Sequence, residues 1–195
     1  MKRFLYKEGG DQDATLPFVL RSYFSLAGNV IFNSLFHANR KLMKLNRGKG
    51  VHEKGGASVL AGFLDGDLLA LANVGVCSAW LLREGRAVEL VMPRGYGRLA
   101  DPFDVFLEDA PIPLAALGIS DDIEPEVFEY RVRPGDWLLM QSPGAGRAVR
   151  DRFLEMQQNW LQGSPSEGEL QNALNEIRFQ CNASILLAVF KSSIT

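Results

Sequence analysis

Cys77 and Arg83 stand six residues apart, a spacing at which a thiolate nucleophile and a guanidinium can share one phosphate. That chemistry needs small residues between the two, so that backbone N–H groups cradle the oxyanion. Trp80, Leu81 and Leu82 fill the interval with strand-forming sequence instead, and the pair reads as a coincidence. His37, His52, Cys77 and Cys181 are zinc-ligand types, but no two share a ligand spacing; they read as a helix-face histidine, a loop histidine and two buried thiols. Gly95-Tyr96-Gly97-Arg98-Leu99-Ala100 matches a dinucleotide fingerprint, which works only where it opens a helix, and Asp101-Pro102 prevents one. Pro143-Gly144-Ala145-Gly146-Arg147 lies between a strand and a helix, where unpaired amides attract anions. Gly144, Arg147 and Arg150 are therefore candidate contacts for a phosphate or a phosphorylated peptide, set against the plainer reading of a solvated first turn. Asp65, Asp67, Asp121, Asp122, Glu124 and Glu126 read as solvated turns.

The elements that must position these residues are legible from period and punctuation. Short runs rich in Val, Leu and Ala, broken at Asp65-Gly66 and Glu84-Gly85, predict antiparallel strands joined by tight turns over 57–64, 67–73, 78–83 and 86–91. Two more strands are expected over 128–132 and 137–141, around Pro134-Gly135-Asp136, and a last one over 184–190; a short strand over 2–7 precedes them all. Thr15 as N-cap and Pro17 in the first turn predict a long helix to about Leu45, with a core stripe of Leu20, Phe24, Ala27, Ile31, Leu35, Ala38, Leu42 and Leu45. Further helices are expected over 146–161 and, after a capping box at Ser164 to Glu167, to about Phe179, with Leu170, Leu174 and Ile177 inward. The first half of the long helix is apolar nearly all round, so either loops or a partner must cover it. Phe18, Phe32 and Phe36 are the candidate partner-facing residues.

The 195 residues suit a single domain over 1–195. With 21 basic against 23 acidic residues and a net charge of -2, the overall balance argues against a dedicated nucleic-acid or anionic-membrane surface. Two distant cysteines and the lack of a signal-peptide core after Met1 point to a reducing cytoplasm. The run from Pro17 to Phe36 has the length of a bilayer crossing, but Arg21, Asn29 and Asn33 interrupt it and Gly28 weakens it, so no membrane span is expected.

Three stretches resemble one family. Gly55-Gly56-Ala57-Ser58 and Ala72-Asn73-Val74-Gly75-Val76-Cys77-Ser78-Ala79-Trp80-Leu81-Leu82-Arg83-Glu84-Gly85 are similar to the GGSTA start and the ANVGDSRAYLLRDG segment of metal-dependent Ser/Thr protein phosphatases of the protein phosphatase 2C type. Arg133-Pro134-Gly135-Asp136 through Ser142-Pro143-Gly144 resembles that family's PGDRLLLCSDG, and Cys181-Asn182-Ala183-Ser184 its DNATVVV. The resemblance implies an α+β fold, a β-sandwich of two antiparallel sheets flanked by helices in α/β/β/α layers, shortened at the N-terminus. It also implies a site where carboxylates hold two metal ions and polarise a bridging water.

At the family's carboxylate positions this sequence carries Val76, Pro143 and Cys181, and the DGMGG segment is missing. Only Asp13, in Gly10-Asp11-Gln12-Asp13-Ala14, is similar to the early NEDA acid. The expectation is therefore a catalytically inactive relative with no cofactor, acting as a protein-binding or regulatory module and self-associating as a homodimer. Two alternatives stand beside it: residual metal-dependent phosphatase activity using Asp13, and a structural assembly subunit docking through the first helix.

Overall fold

The computed structural model describes residues 20–96, 112–159, 165–179 and 182–191; Asp13, Phe18, Cys181, the expected strand over 2–7 and most of the Gly95 to Ala100 segment lie outside them. The chain divides into two compact units, each built from two stretches of sequence: Met1–Gly75 with Pro113–Arg131, and Val76–Ile112 with Val132–Thr195.

The first unit packs a helix, α1 (Leu26–Asn46), on a three-stranded antiparallel sheet of β1 (Val59–Asp65), β2 (Leu68–Val74) and β5 (Glu126–Arg131), in the order β1-β2-β5. Register runs from Val59 opposite Val74 to Asp65 opposite Leu68, and from Leu68 opposite Arg131 to Asn73 opposite Glu126. Alternate small residues of β2, Ala70, Ala72 and Val74, meet Ala27, Ile31 and Leu35 of α1, with Leu117 and Ile123 closing the cluster. Small strand residues let the helix come close, and each fully buried Ile or Leu contributes roughly 1.5–3 kcal/mol.

α1 starts later than its periodicity predicts. Residues 20–25 form a turn rather than helix, with the Phe24 amide donating to Arg21 O. Ser25 is the N-cap, its Oγ accepting from the Gly28 amide at 3.1 Å, and Glu129 of β5 accepts from both the backbone N–H and the hydroxyl of Ser25. Asn29, buried in the first turn, accepts from the Arg21 amide and donates to Arg21, Phe24 and Ser25 carbonyls. The start is thus set by groups that period counting does not weigh. Leu20 and Leu45 of the expected core stripe are exposed accordingly, while Ala38 and Leu42 pack on the core.

The second unit holds a four-stranded antiparallel sheet in the order β4-β3-β6-β7, from β3 (Ser78–Arg83), β4 (Arg86–Val91), β6 (Trp137–Gln141) and β7 (Ile185–Val189). The β3-β4 hairpin turns through Glu84 and Gly85, both at positive φ (50° and 73°), which a two-residue primed turn requires. Two helices, α2 (Gly146–Asn159) and α3 (Glu167–Asn175), cover this sheet. Val149 and Phe153 of α2 join Leu82, Trp137 and Leu139 in the core, with Leu170, Leu174 and Ile177 packed against it. The capping box of α3 sits two residues beyond the expected place. Ser166 Oγ accepts from the Glu169 amide and the Glu169 carboxylate accepts from the Ser166 amide, which puts Glu169 at the third helical position. The helix also ends earlier, at Asn175.

Candidate functional site

β3 and β7 both run antiparallel to β6, so the start of β3, the end of β6 and the start of β7 share one end of the second unit's sheet. Ser78 pairs with Gln141, and Gln141 with Ile185. Beyond the ladder the Ser142 amide donates to Ser184 O and Ser142 Oγ accepts from the Ser184 amide, both at 2.9 Å. Val76 precedes β3 by two residues and is buried, and Pro143 follows β6 by two residues and opens a 3-10 turn, Pro143–Ala145. The topology therefore gathers at one sheet end the positions where the resemblance implies carboxylates, and the two described ones are apolar.

A divalent cation of the magnesium or manganese kind wants several oxygens, most of them anionic. Near this end Gln141 is buried; its Nε2 donates to Gly146 O at 3.1 Å and its Oε1 accepts no hydrogen bond. One neutral amide oxygen does not make a two-metal centre. Among the described residues no group of three or more His, Cys, Asp or Glu side chains is placed to hold a metal ion. The donor set among the described residues does not fit the two-metal site that the resemblance implies.

The acid that survives in the Pro134-Gly135-Asp136 motif stands elsewhere. Asp136 precedes β6, seven residues before Pro143, and along an extended strand this is roughly 20 Å away. Its carboxylate is 2% exposed. It accepts from Arg83 Nε at 2.7 Å, from Arg83 Nη2 at 2.6 Å and from the Arg133 amide at 2.7 Å. The hydrogen bonds with Asp136 push the Arg83 guanidinium further toward its charged form. Both partners are committed to the turn, and Cys77 and Arg83 lie at opposite ends of β3, too far apart to hold one phosphate.

At the anion candidate, the amides of Ala145 and Gly146 already donate, to Ser142 O and Pro143 O. Arg147 is exposed on the first turn of α2, whereas Arg150 lies over the Trp80 ring, 4.8 Å from its centroid, and is bonded to Asp151. Gly144 sits within the 3-10 turn. Of the aromatic candidates, Phe32 is 5% exposed and stacks with Phe24 and Phe36, with the Arg21 guanidinium 4.6 Å from its centroid. The segment before α1 covers Phe32, and Phe36 is half-buried against the core.

Sequence reading took Asn29 and Asn33 of α1 only as interruptions of an apolar run and passed over Asn39 and Asn46. Asn29, Asn33, Asn39 and Asn46 are all buried. Asn39 accepts from the Gly118 amide and donates to Ser120 O; Asn46 donates to Gly55 O and Gly118 O and accepts from the Gly55 amide. Their signal was four Asn in a helix otherwise reading as core, since a buried amide demands partners.

No family model matches the chain, and no curated protein does. Solved structures do. A bacterial serine phosphatase superposes with a TM-score of 0.69 at 16% identity, over 98% of this chain and 80% of its own. A Staphylococcus aureus serine/threonine phosphatase gives 0.68 at 17%, over 97% and 77%. The catalytic domain of the protein phosphatase PstP, solved with two manganese ions, gives 0.65 at 18%, over 89% and 70%. The fold is that of these phosphatases: α+β, two antiparallel sheets flanked by helices. Among the described residues no helix is long and apolar enough to cross a membrane.

Proposed function

We propose that this chain is a non-catalytic member of the protein phosphatase 2C-like fold group, acting as a binding or regulatory module. The observation that carries the reading is the pair Val76 and Pro143, apolar side chains at the sheet end where the resemblance implies metal-ligating carboxylates. A hydrocarbon side chain offers no lone pair, and a bridging water without two cations stays a poor nucleophile. The same scaffold retains its rigid elements, with α1 anchored by Glu129 and the hairpins closed by their glycines, so its surfaces remain available for recognition. We read the 195 residues as one functional domain of the cytoplasm, whose first partner to test is a protein, including a second copy of itself.

Calorimetric titration of the full chain with manganese, alongside turnover of a generic phosphoester, tests this. The expected result is no saturable heat and no hydrolysis above the metal-only rate. Tight binding with turnover, abolished by Asp13→Ala, would replace the reading with residual catalysis through that acid. Mass measurement over a wide concentration range tests self-association, and a monomer throughout would leave a different protein as the partner.

A further inference from the structure

Between Arg40 and Lys54 six basic residues, Arg40, Lys41, Lys44, Arg47, Lys49 and Lys54, meet one acid, Glu53, in a chain whose net charge is -2. All six are exposed, and none forms an ion pair among the described residues. At about 100° per residue, Arg40, Lys44, Lys41 and Arg47 fall within an arc of roughly 120° on the outer face of the last turns of α1. The acidic loop that carries Asp121 and Asp122 is held by Asn39 and Asn46, about 140° around the helix from Lys44. The charges of opposite sign are therefore segregated rather than interleaved.

The loop that extends this face is closed, not loose. Asn46 binds the carbonyl of Gly55 at 2.7 Å and its amide at 3.0 Å, so residues 47–54 leave and return to one point. A 3-10 turn, Val51–Glu53, lies at its tip, where Gly50 N–H donates to the Glu53 carboxylate. Two large aliphatic side chains stand exposed among the cations: Val51, 80% exposed, in the turn, and Leu45, 67% exposed, one helical turn from Lys41. His37, on the same side of α1, is held below its ordinary pKa first by partial burial and then by neighbouring charges that include Lys41, Arg40 and Lys44.

We infer that this face docks on an anionic lipid bilayer, its cations over the headgroups and Leu45 and Val51 entering the interface. Charge complementarity demands a polyanion. Three features choose a membrane. The surface is the convex outside of a helix end and a turn, suited to a plane rather than to an extended peptide. Its apolar groups are aliphatic, and from Arg47 to Lys54 the one ring is the imidazole of His52, with no Phe, Tyr or Trp to build the run of stacking platforms that a single strand uses. Basic side chains interleaved with exposed aliphatics are the pattern of interfacial segments. The docking does not depend on whether the phosphatase-like site is active.

The test is co-sedimentation of the full chain with phosphatidylcholine vesicles containing about a third phosphatidylserine, against vesicles of phosphatidylcholine alone. Binding to the anionic vesicles only, weakening with salt, is expected. Each neutralised lysine should weaken partition about fivefold, and the triple variant Lys41→Gln/Lys44→Gln/Lys49→Gln roughly a hundredfold. Leu45→Ser/Val51→Ser should also weaken it while leaving the unfolding midpoint in place. Equal binding to both vesicles, or no change in the triple variant, overturns the inference. So does a preference for duplex DNA or polyglutamate over anionic vesicles at equal ionic strength, which would assign the face to a soluble polyanion.

Discussion

Replacing Asp136 by Ala separates a structural acid from a chemical one. The carboxylate is 2% exposed and accepts three hydrogen bonds, two from Arg83 and one from the Arg133 amide. Removing one partner of a buried ion pair costs about 3–5 kcal/mol, because the other charge is left without its counter-ion. Arg83 is 29% exposed, so water recovers part of that loss, and the low end, about 3 kcal/mol, is expected. With a urea m-value of about 2–3 kcal/mol/M for a chain of this size, the midpoint should fall by about 1–1.5 M. Urea unfolding followed by circular dichroism measures this. The companion Arg83→Met, which strands the more deeply buried Asp136 carboxylate, should cost at least as much, and the double variant less than the sum of the two, since the pair is coupled. A midpoint for Asp136→Ala within about 0.2 M of the parent would refute the reasoning, and would return this acid to consideration as a functional group.

Asn46→Ala should destabilise the chain by about 2–3 kcal/mol in the same assay, because it strands two carbonyls and an amide that the side chain now satisfies at 2.7–3.0 Å; a loss under about 0.5 kcal/mol would mean the loop does not need its clamp. His37 protonates at lower pH in the folded chain than in the unfolded one. Its contribution to stability is therefore present above the ordinary value of 6.5 and lost as pH falls through the lowered one. In Lys41→Gln/Lys44→Gln an NMR titration should find the His37 transition moved upward, and an unmoved transition would show that these two lysines do not set it.

How much of this was legible depends on where each element's information lies. β3, β4 and β6 have the bounds that reading by turn residues predicts, because Glu84-Gly85 and Pro134-Gly135 are local and leave the chain few alternatives. β1, β2 and β5 lie a residue or two from their expected places. The start of α1 was not legible. Ser25 is chosen as the cap by Glu129, 104 residues away in sequence, and an apolar period that runs on before it says nothing of that contact. The capping box of α3 was recognisable in type but not in place, since Ser164 and Ser166 both satisfy the local pattern. The basic connector from Asn46 to Gly56 was legible from its alternating Lys and Gly, but not the face it forms with α1, since a net charge of -2 averages the segment from Arg40 to Lys54 with an acidic remainder. The candidate site was legible only through the resemblance, because Val76 and Pro143 carry meaning by what they lack.

The way the chain is threaded has its own consequence. It enters one compact unit, crosses to the other at Val76, comes back at Pro113 and leaves again at Val132, so each unit needs two separated passages of polypeptide. No single cut separates one unit cleanly from the other. Truncation at Val76 takes β1 and β2 from the first sheet, truncation at Val132 takes β6 and β7 from the second, and a break at Pro113 divides both.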